Sequence, residues 1–471
     1  MAAFAVGGVV PERLRSVVGG CVPVGGVPVW RHAAVRTASP TGVGTLARVT
    51  SRAWAVVILI VLVAAFVAVT AWTIPWRERP PSRADQLDAL GDIPAGQVAR
   101  GRAFSAARRP ATYASMLVGL AVLLALGLTT AGSHVVAAVG SVFGGGWYAE
   151  AITGGLALVL LTSIVTLPFA AWRHRVARDF GLSTQGWRGW AVDVLKGYAV
   201  SLVIGGLALA GFFAVVRATP DTWWVWAAIG AAALVVLLSF VLPVLIEPVF
   251  NKFTPMGDSP LRTDLFALAA ADGVPIRDVL VADASRRTNA VNAYVSGFGA
   301  TRRVVVYDTL LSRATEAEVR SVVAHELGHA KDKDVLTGTA TGALSVAIAV
   351  VAVYVIGGWT ALVRNAGATD IANPRALALL MAIGAVAGAA SSPLQNVVSR
   401  RIETRADTHA LRLTGDAVSF GAMQARLAEV NLANVDPHRF EYLMFASHPT
   451  TVQRIAAARV FGRDHEAGVA A

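Results

Sequence analysis

Seven uncharged stretches of close to 20 residues constrain this chain more than any other feature. They fall at about 53–73, 112–130, 151–172, 197–216, 223–246, 336–357 and 376–395. A helix needs roughly 20 apolar residues to cross a hydrocarbon layer of about 30 Å. One such stretch fits a buried helix of a large soluble core, but seven in one chain do not. The last two, rich in Ala and Gly, are the least distinctive. With 55% hydrophobic and only 15% charged residues and a mean hydropathy of +0.58, the chain falls outside the ordinary soluble range. The expected fold is a mostly α-helical multi-pass membrane protein of about seven spans.

The basic residues give an orientation. Loop 77–110 carries seven Lys or Arg and loop 173–196 carries five, whereas 131–150 carries none and 217–222 one. Basic loops stay cytoplasmic, so the polar stretches 247–335 and 396–471 are expected on the inside of the cell membrane. The N-terminus then falls outside, against its own arginines. The net charge of +11 needs no nucleic acid, because the charges flank spans, where topology and anionic lipid headgroups account for them. No basic stripe with interleaved aromatics is present. The strong preference for Arg over Lys, with heavy use of Ala, Gly and Val, points to a GC-rich bacterial genome. Cys21 is the one cysteine, which excludes an intrachain disulfide and a multi-thiolate metal site. Residues 1–50 lack periodicity and read either as a disordered extension or as an upstream translation start that the cell does not use, with no short apolar core of a cleaved secretory signal.

The chain therefore divides into the extension 1–50, a five-span region 51–246, a polar block 247–334, two further spans in 335–395, and a second polar block 396–471. In the first block, 261–272 reads as a helix stopped by Gly273 and Pro275. The β-branched or aromatic runs 279–282, 293–296 and 304–307 read as short strands of a small sheet. Thr315 and Glu318 form a capping box for a helix over 316–333. That helix contains His325-Glu326-Leu327-Gly328-His329, an H-E-x-x-H motif. Residues four apart share a helical face, so His325 and His329 can offer two imidazoles to one metal ion, with Glu326 placed to reach a water on that ion. With no thiolates to hand, the chemistry points to one zinc per chain in a peptidase-type site. A small sheet beside such a helix is useful to a peptidase, because an edge strand can bind a substrate backbone.

Hydrolytic zinc sites take a third protein ligand and leave one position open. Glu403 and Asp407, also four apart, provide candidates. Glu403 could complete the ligand set, and Asp407 could accept a hydrogen bond from a ligand imidazole. Spacing alone leaves open a second reading, a mixed-charge surface helix with Arg401 and Arg405 beside Glu403.

A longer ordered set of motifs resembles one family. It runs from Pro248-Val249-Phe250-Asn251-Lys252-Phe253-Thr254-Pro255 through Asn292-Ala293-Tyr294, Gly297-Phe298-Gly299 and Asp308-Thr309-Leu310-Leu311 to the H-E-x-x-H helix. Beyond that come Ser399-Arg400, Glu403, Ala406-Asp407, and His448-Pro449 with Arg454. Upstream, Phe180-Gly181-Leu182 precedes Trp187, Asp193 and Lys196. Over roughly residues 70–460 the chain is similar to the type I CAAX prenyl proteases, seven-span zinc metalloendopeptidases with a zincin-like helix. The resemblance implies that His325, His329 and Glu403 bind zinc and that Glu326 is the catalytic base. It further implies that Asn292 and Ala293 belong to the strand aligning the substrate, and that His448 and Arg454 stand near the scissile carbonyl. The implied substrates are membrane-associated or lipid-modified peptides and proteins; the oligomeric state is not implied. The chain departs from eukaryotic members at Ala290, where they carry a histidine, and at Leu182-Ser183-Thr184.

Three rival readings remain. An HtpX-type quality-control protease shares the metal motifs but has fewer spans than the five runs before residue 247. A site-2-type intramembrane protease buries its motif in an apolar span, whereas Lys331-Asp332-Lys333-Asp334 follows directly here. A transporter or scaffold with a vestigial metal site would not need Glu326, both histidines and a carboxylate together.

Overall fold

The computed structural model describes residues 42–297 and 299–468. Helix α1 (Gly42–Thr73) begins inside the stretch read as a disordered extension; residues 1–41 lie outside the described residues. Then follow α2 (Ala95–Leu128), α3 (Trp147–Asp179), α4 (Trp187–Ala218) and α5 (Trp223–Val241). Among the described residues seven helices are long and apolar enough to cross a bilayer, and each contains most or all of one of the seven apolar runs. Large apolar side chains point outward along them: Trp72 is 91% exposed, Leu207 70% and Ile60 63%. Lipid, not water, satisfies such surfaces, because the helix already bonds its own backbone. This is a multi-span integral membrane protein.

The first polar block starts after α5 with β1 (Phe253–Pro255) and α6 (Pro260–Ala271). Ser259 caps α6, and Gly273, at φ +71, ends it. Strands β2 (Asp278–Ala282), β3 (Ala293–Ser296) and β4 (Arg303–Tyr307) complete a sheet of order β1-β2-β4-β3. The three strands expected from sequence are present. β2 and β4 pair in parallel, with Leu280 opposite Val305, while β3 is the antiparallel outer strand. β1 was not foreseen: three residues ending in proline are too short to show an alternation.

Helix α7 (Glu316–Lys331) carries the H-E-x-x-H motif and begins at the expected capping box, with Thr315 Oγ1 accepting from Glu318 N–H and Glu318 accepting from Thr315 N–H. Glu318 is buried and also takes Arg426 at 3.0 Å, so the cap is tied to a later helix. Val319, Val323 and Leu327 face the sheet and pack with Val304, Val306, Leu265 and Phe420 into one apolar core. The chain then turns through Lys333, at φ 58 in the left-handed region that residues with a side chain rarely adopt, and enters α8 (Asp334–Ile356). The last span opens α9 (Leu377–Thr414), whose 38 residues extend about 57 Å at 1.5 Å per residue. It therefore crosses the apolar layer and continues into the polar block. Helices α10 (Ala417–Val430) and α11 (Thr451–Glu466) close that block.

Two sets of loops gather at opposite ends of the spans. On the polar-block side, Arg83 pairs with Asp436 at 3.1 Å, Arg287 with Asp193 at 2.7 Å, and Ser183 bridges Thr288. At the other end Arg375 meets Glu150 at 2.7 Å. Both Arg-rich loops thus lie against the polar blocks, and the loop lacking basic residues does not.

α2 and α9 approach closely because the contact is made of small residues. A Cβ on Gly127 would stand 2.6 Å from both Ala378 O and Ala382 Cβ. Gly127→Val is expected to destabilise the protein by about 1–3 kcal/mol, as overpacking does, read as a lower thermal midpoint in detergent. Gly211→Ala, where a Cβ meets nothing within 4 Å, is the matched control and should change little.

Candidate metal centre

One turn of α7 places His325 and His329 with their Nε2 atoms 3.1 Å apart and their rings nearly perpendicular, at 87°. α9 brings Glu403 to the same point: Oε2 lies 3.3 Å from His325 Nε2 and Oε1 3.6 Å from His329 Nε2. Glu403 Oε2 is buried and, although close to His325, is not aligned for a hydrogen bond and has no partner. Ligand atoms about 2.0–2.1 Å from a tetrahedral ion stand roughly 3.3 Å from one another. Three converging donors with that spacing, one of them an unpartnered buried oxygen, fit a metal ion.

The outer nitrogen of each imidazole is held by a carboxylate. His325 Nδ1 lies 2.9 Å from Asp407, one turn beyond Glu403 on α9. His329 Nδ1 lies 2.9 Å from Asp334, the first residue of α8. A carboxylate only accepts, so each Nδ1 carries a proton and each Nε2 is left facing the convergence point. Asp407 is 3% exposed and is forked by Arg454 from α11, with Nε at 2.8 Å and one terminal nitrogen also bonded. Asp334 is likewise engaged by Arg405. Burial disfavours a charged His325, but its contacts with Asp407 and Glu403 outweigh that and hold its pKa at about 10. The two carboxylates thus favour positive charge at this imidazole.

Glu326, next to His325 on α7, lines together with His329 a cleft of about 370 Å³ whose other walls include Val295 of β3, Gly297 just beyond it, Lys333 and Ile402. Burial pushes its carboxyl pKa up, the direction a proton acceptor in a closed site requires. His448 Nε2 stands 3.4 Å from Glu403 Oε1, on a half-exposed side chain whose pKa burial lowers. Asn292 is exposed and Ala293 buried at the start of β3.

Residues 87–252 match the family description "CAAX prenyl protease N-terminal, five membrane helices", and residues 258–461 match "Peptidase family M48". A protein described as uncharacterized metalloprotease YhfN of Bacillus subtilis (strain 168) is 33% identical over 309 residues, 64% of this chain and 71% of that one. The CAAX prenyl protease 1 homolog of Arabidopsis thaliana is 34% identical over 316 residues, 63% and 70% of the two chains. The chain belongs to the CAAX prenyl protease family of M48 peptidases. The crystal structure of S. mikatae Ste24p shares the fold, with a TM-score of 0.68 at 21% identity over 86% of this chain and 98% of that one. The protein is accordingly a membrane metallopeptidase acting on peptide or protein substrates.

In this M48 peptidase the structure gathers His325, Glu326, His329, Glu403, Asp407, His448 and Arg454 around one point. Arg454 forks buried Asp407 and stands 3.4 Å from His325 Nδ1. Sequence reasoning missed Asp334, whose signal was available: a ligand imidazole calls for a carboxylate, and Asp334 begins the helix after His329. It also missed buried Asp272, which accepts from Lys331 at 2.6 Å and His409 at 3.1 Å and so ties α6 to α7 and α9. Asp334→Ala is expected to lower metal affinity by about 10–100-fold, the usual effect of removing a ligand's carboxylate partner. Competition with a chromophoric chelator measures this; unaltered affinity would contradict the assignment.

Proposed function

We propose that this metallopeptidase binds one zinc ion through His325, His329 and Glu403 and hydrolyses peptide bonds in membrane-associated or lipid-modified peptides and proteins, with Glu326 as general base. The observation that carries the reading is the convergence of two Nε2 atoms and a buried, unpartnered carboxylate oxygen, each imidazole braced by its own carboxylate. The imidazole–carboxylate donor set, with no thiolate beside it among the described residues, favours zinc among divalent ions.

Bound zinc would polarise a scissile carbonyl and lower the pKa of a coordinated water. The chain's own residues supply the remainder. Glu326, raised in basicity by burial, takes the proton of the attacking water and delivers it to the leaving amine. His448, beside Glu403, donates where negative charge develops on the carbonyl oxygen. Arg454 works through Asp407, holding the carboxylate that orients His325. The open edge of β3, from Asn292 and Ala293 onward, aligns the substrate backbone by strand addition. The domain division follows the same lines: spans in 51–246 and 335–395 wall the site, and blocks 247–334 and 396–471 supply it. The catalytic blocks face the cytoplasm across the cell membrane, a reading supported by the two Arg-rich loops packed against them.

Glu326→Gln should retain zinc while hydrolysis of a peptide falls by about 10²–10⁴. His329→Ala should lose both zinc and activity, and His448→Phe should keep zinc and lose less than Glu326→Gln. Metal analysis with a fluorogenic peptide assay separates the three, and zinc loss from Glu326→Gln would show the roles to be misassigned. Topology is tested separately in a Cys21→Ser background with single cysteines at Ser141 and Asp264. An impermeant thiol reagent on intact cells should label the Ser141 site only; labelling at Asp264 would reverse the orientation.

A further inference from the structure

The outer edge of β3 is not open along its whole length. Tyr307 N–H donates to Asn292 O at 3.0 Å, so the backbone of Asn292, and by the two-residue alternation that of Tyr294 and Ser296, faces β4. The backbone groups of Val291, Ala293 and Val295 therefore face outward. At Val291 they are already taken by one side chain: Asn431 Oδ1 accepts from Val291 N–H at 2.9 Å, and Asn431 Nδ2 donates to Val291 C=O at 3.2 Å. A primary amide that meets both polar groups of one residue stands where a residue of a pairing strand would stand.

The segment presenting Asn431 is clamped. Asn431 follows the last residue of α10, and Leu432 sits at φ 54, a left-handed conformation that leucine adopts only when its surroundings impose it. Leu432 is buried with Phe104 of α2 and Val176 of α3. Ala433 O lies so near α2 that a Cβ on Gly101 would come within 2.1 Å of it. Two membrane helices thus fix where the amide stands.

We propose that the Asn431 amide is the stop at one end of the peptide-binding edge. A substrate strand pairs with Ala293 and Val295, beside the cleft that holds Glu326, and cannot continue past Val291. The class of substrate selected is an extended segment that ends or bends on that side, so the residue governs how far from a chain end or bend cleavage occurs. This deepens the proposed function and rests on its reading of β3 as the substrate strand.

The test uses the full-length zinc-loaded protein in detergent and two series of quenched fluorescent peptides, lengthened one residue at a time from either terminus of a common core. In the unaltered protein, kcat/KM is expected to drop in one series once the added residues reach Val291. In Asn431→Gly and Asn431→Ser the ratio of long-peptide to short-peptide kcat/KM in that series should rise by about tenfold, the worth of backbone hydrogen bonds regained at Val291. The ratio is taken within one preparation, so a general loss of stability cancels. A series without a drop, or a drop that persists in both variants, would overturn the stop. Val295→Pro, which removes an outward N–H and no ladder bond, separates the two claims. If that variant retains zinc and cleaves every peptide as the unaltered protein does, the strand reading itself fails. If it retains zinc and loses hydrolysis while the length limit persists in the Asn431 variants, the stop alone fails.

Discussion

The buried contact of Asp407 with His325 and Arg454 is the interaction on which the centre depends. A carboxylate 3% exposed is tolerable only when paired and hydrogen-bonded, and Asp407 meets both conditions at once. Arg454 forks it from α11, and His325 donates to it from α7. Three helices from two separate polar blocks are thereby fixed to one another. The same contact fixes the His325 tautomer, so packing and chemistry share a single requirement. Removing either partner would leave an uncompensated buried charge, which is why the trio is expected to act as a unit.

Membrane and site are joined by continuous helices, with no flexible linker between them. α9 starts among small apolar residues against Gly127, runs on without interruption, and delivers Glu403 and Asp407 in its second half. α8 begins at Asp334, which holds His329, and then becomes a span. A shift of either span would reach the metal ligands within one helix length. Such rigidity suits a site whose donor atoms must stay within a few tenths of an ångström.

What the sequence made legible follows from range. The spans were readable because a helix that bonds its own backbone in lipid needs only an uncharged run. Their ends were not, since α2 and α9 continue into polar surroundings where that signal stops. The capping box and the H-E-x-x-H face are local, i to i+4 patterns, and the structure reproduces both. Spacing alone left Glu403 open because Arg401 and Arg405 made its helix look solvated; Arg405 in fact reaches across to Asp332 at 2.8 Å. Asn431 was invisible because its partner, Val291, is distant in the chain and nothing in its own neighbourhood marks it.

The central claim is that two imidazoles and one carboxylate converge on a single zinc ion. X-ray absorption at the zinc edge on the purified full-length protein tests it most directly. The account predicts a four- or five-coordinate ion with two imidazole nitrogens, oxygen as the remaining ligand type, all at roughly 2.0–2.2 Å, and no sulfur. An ion coordinated by oxygen alone, or by a single imidazole, would contradict it.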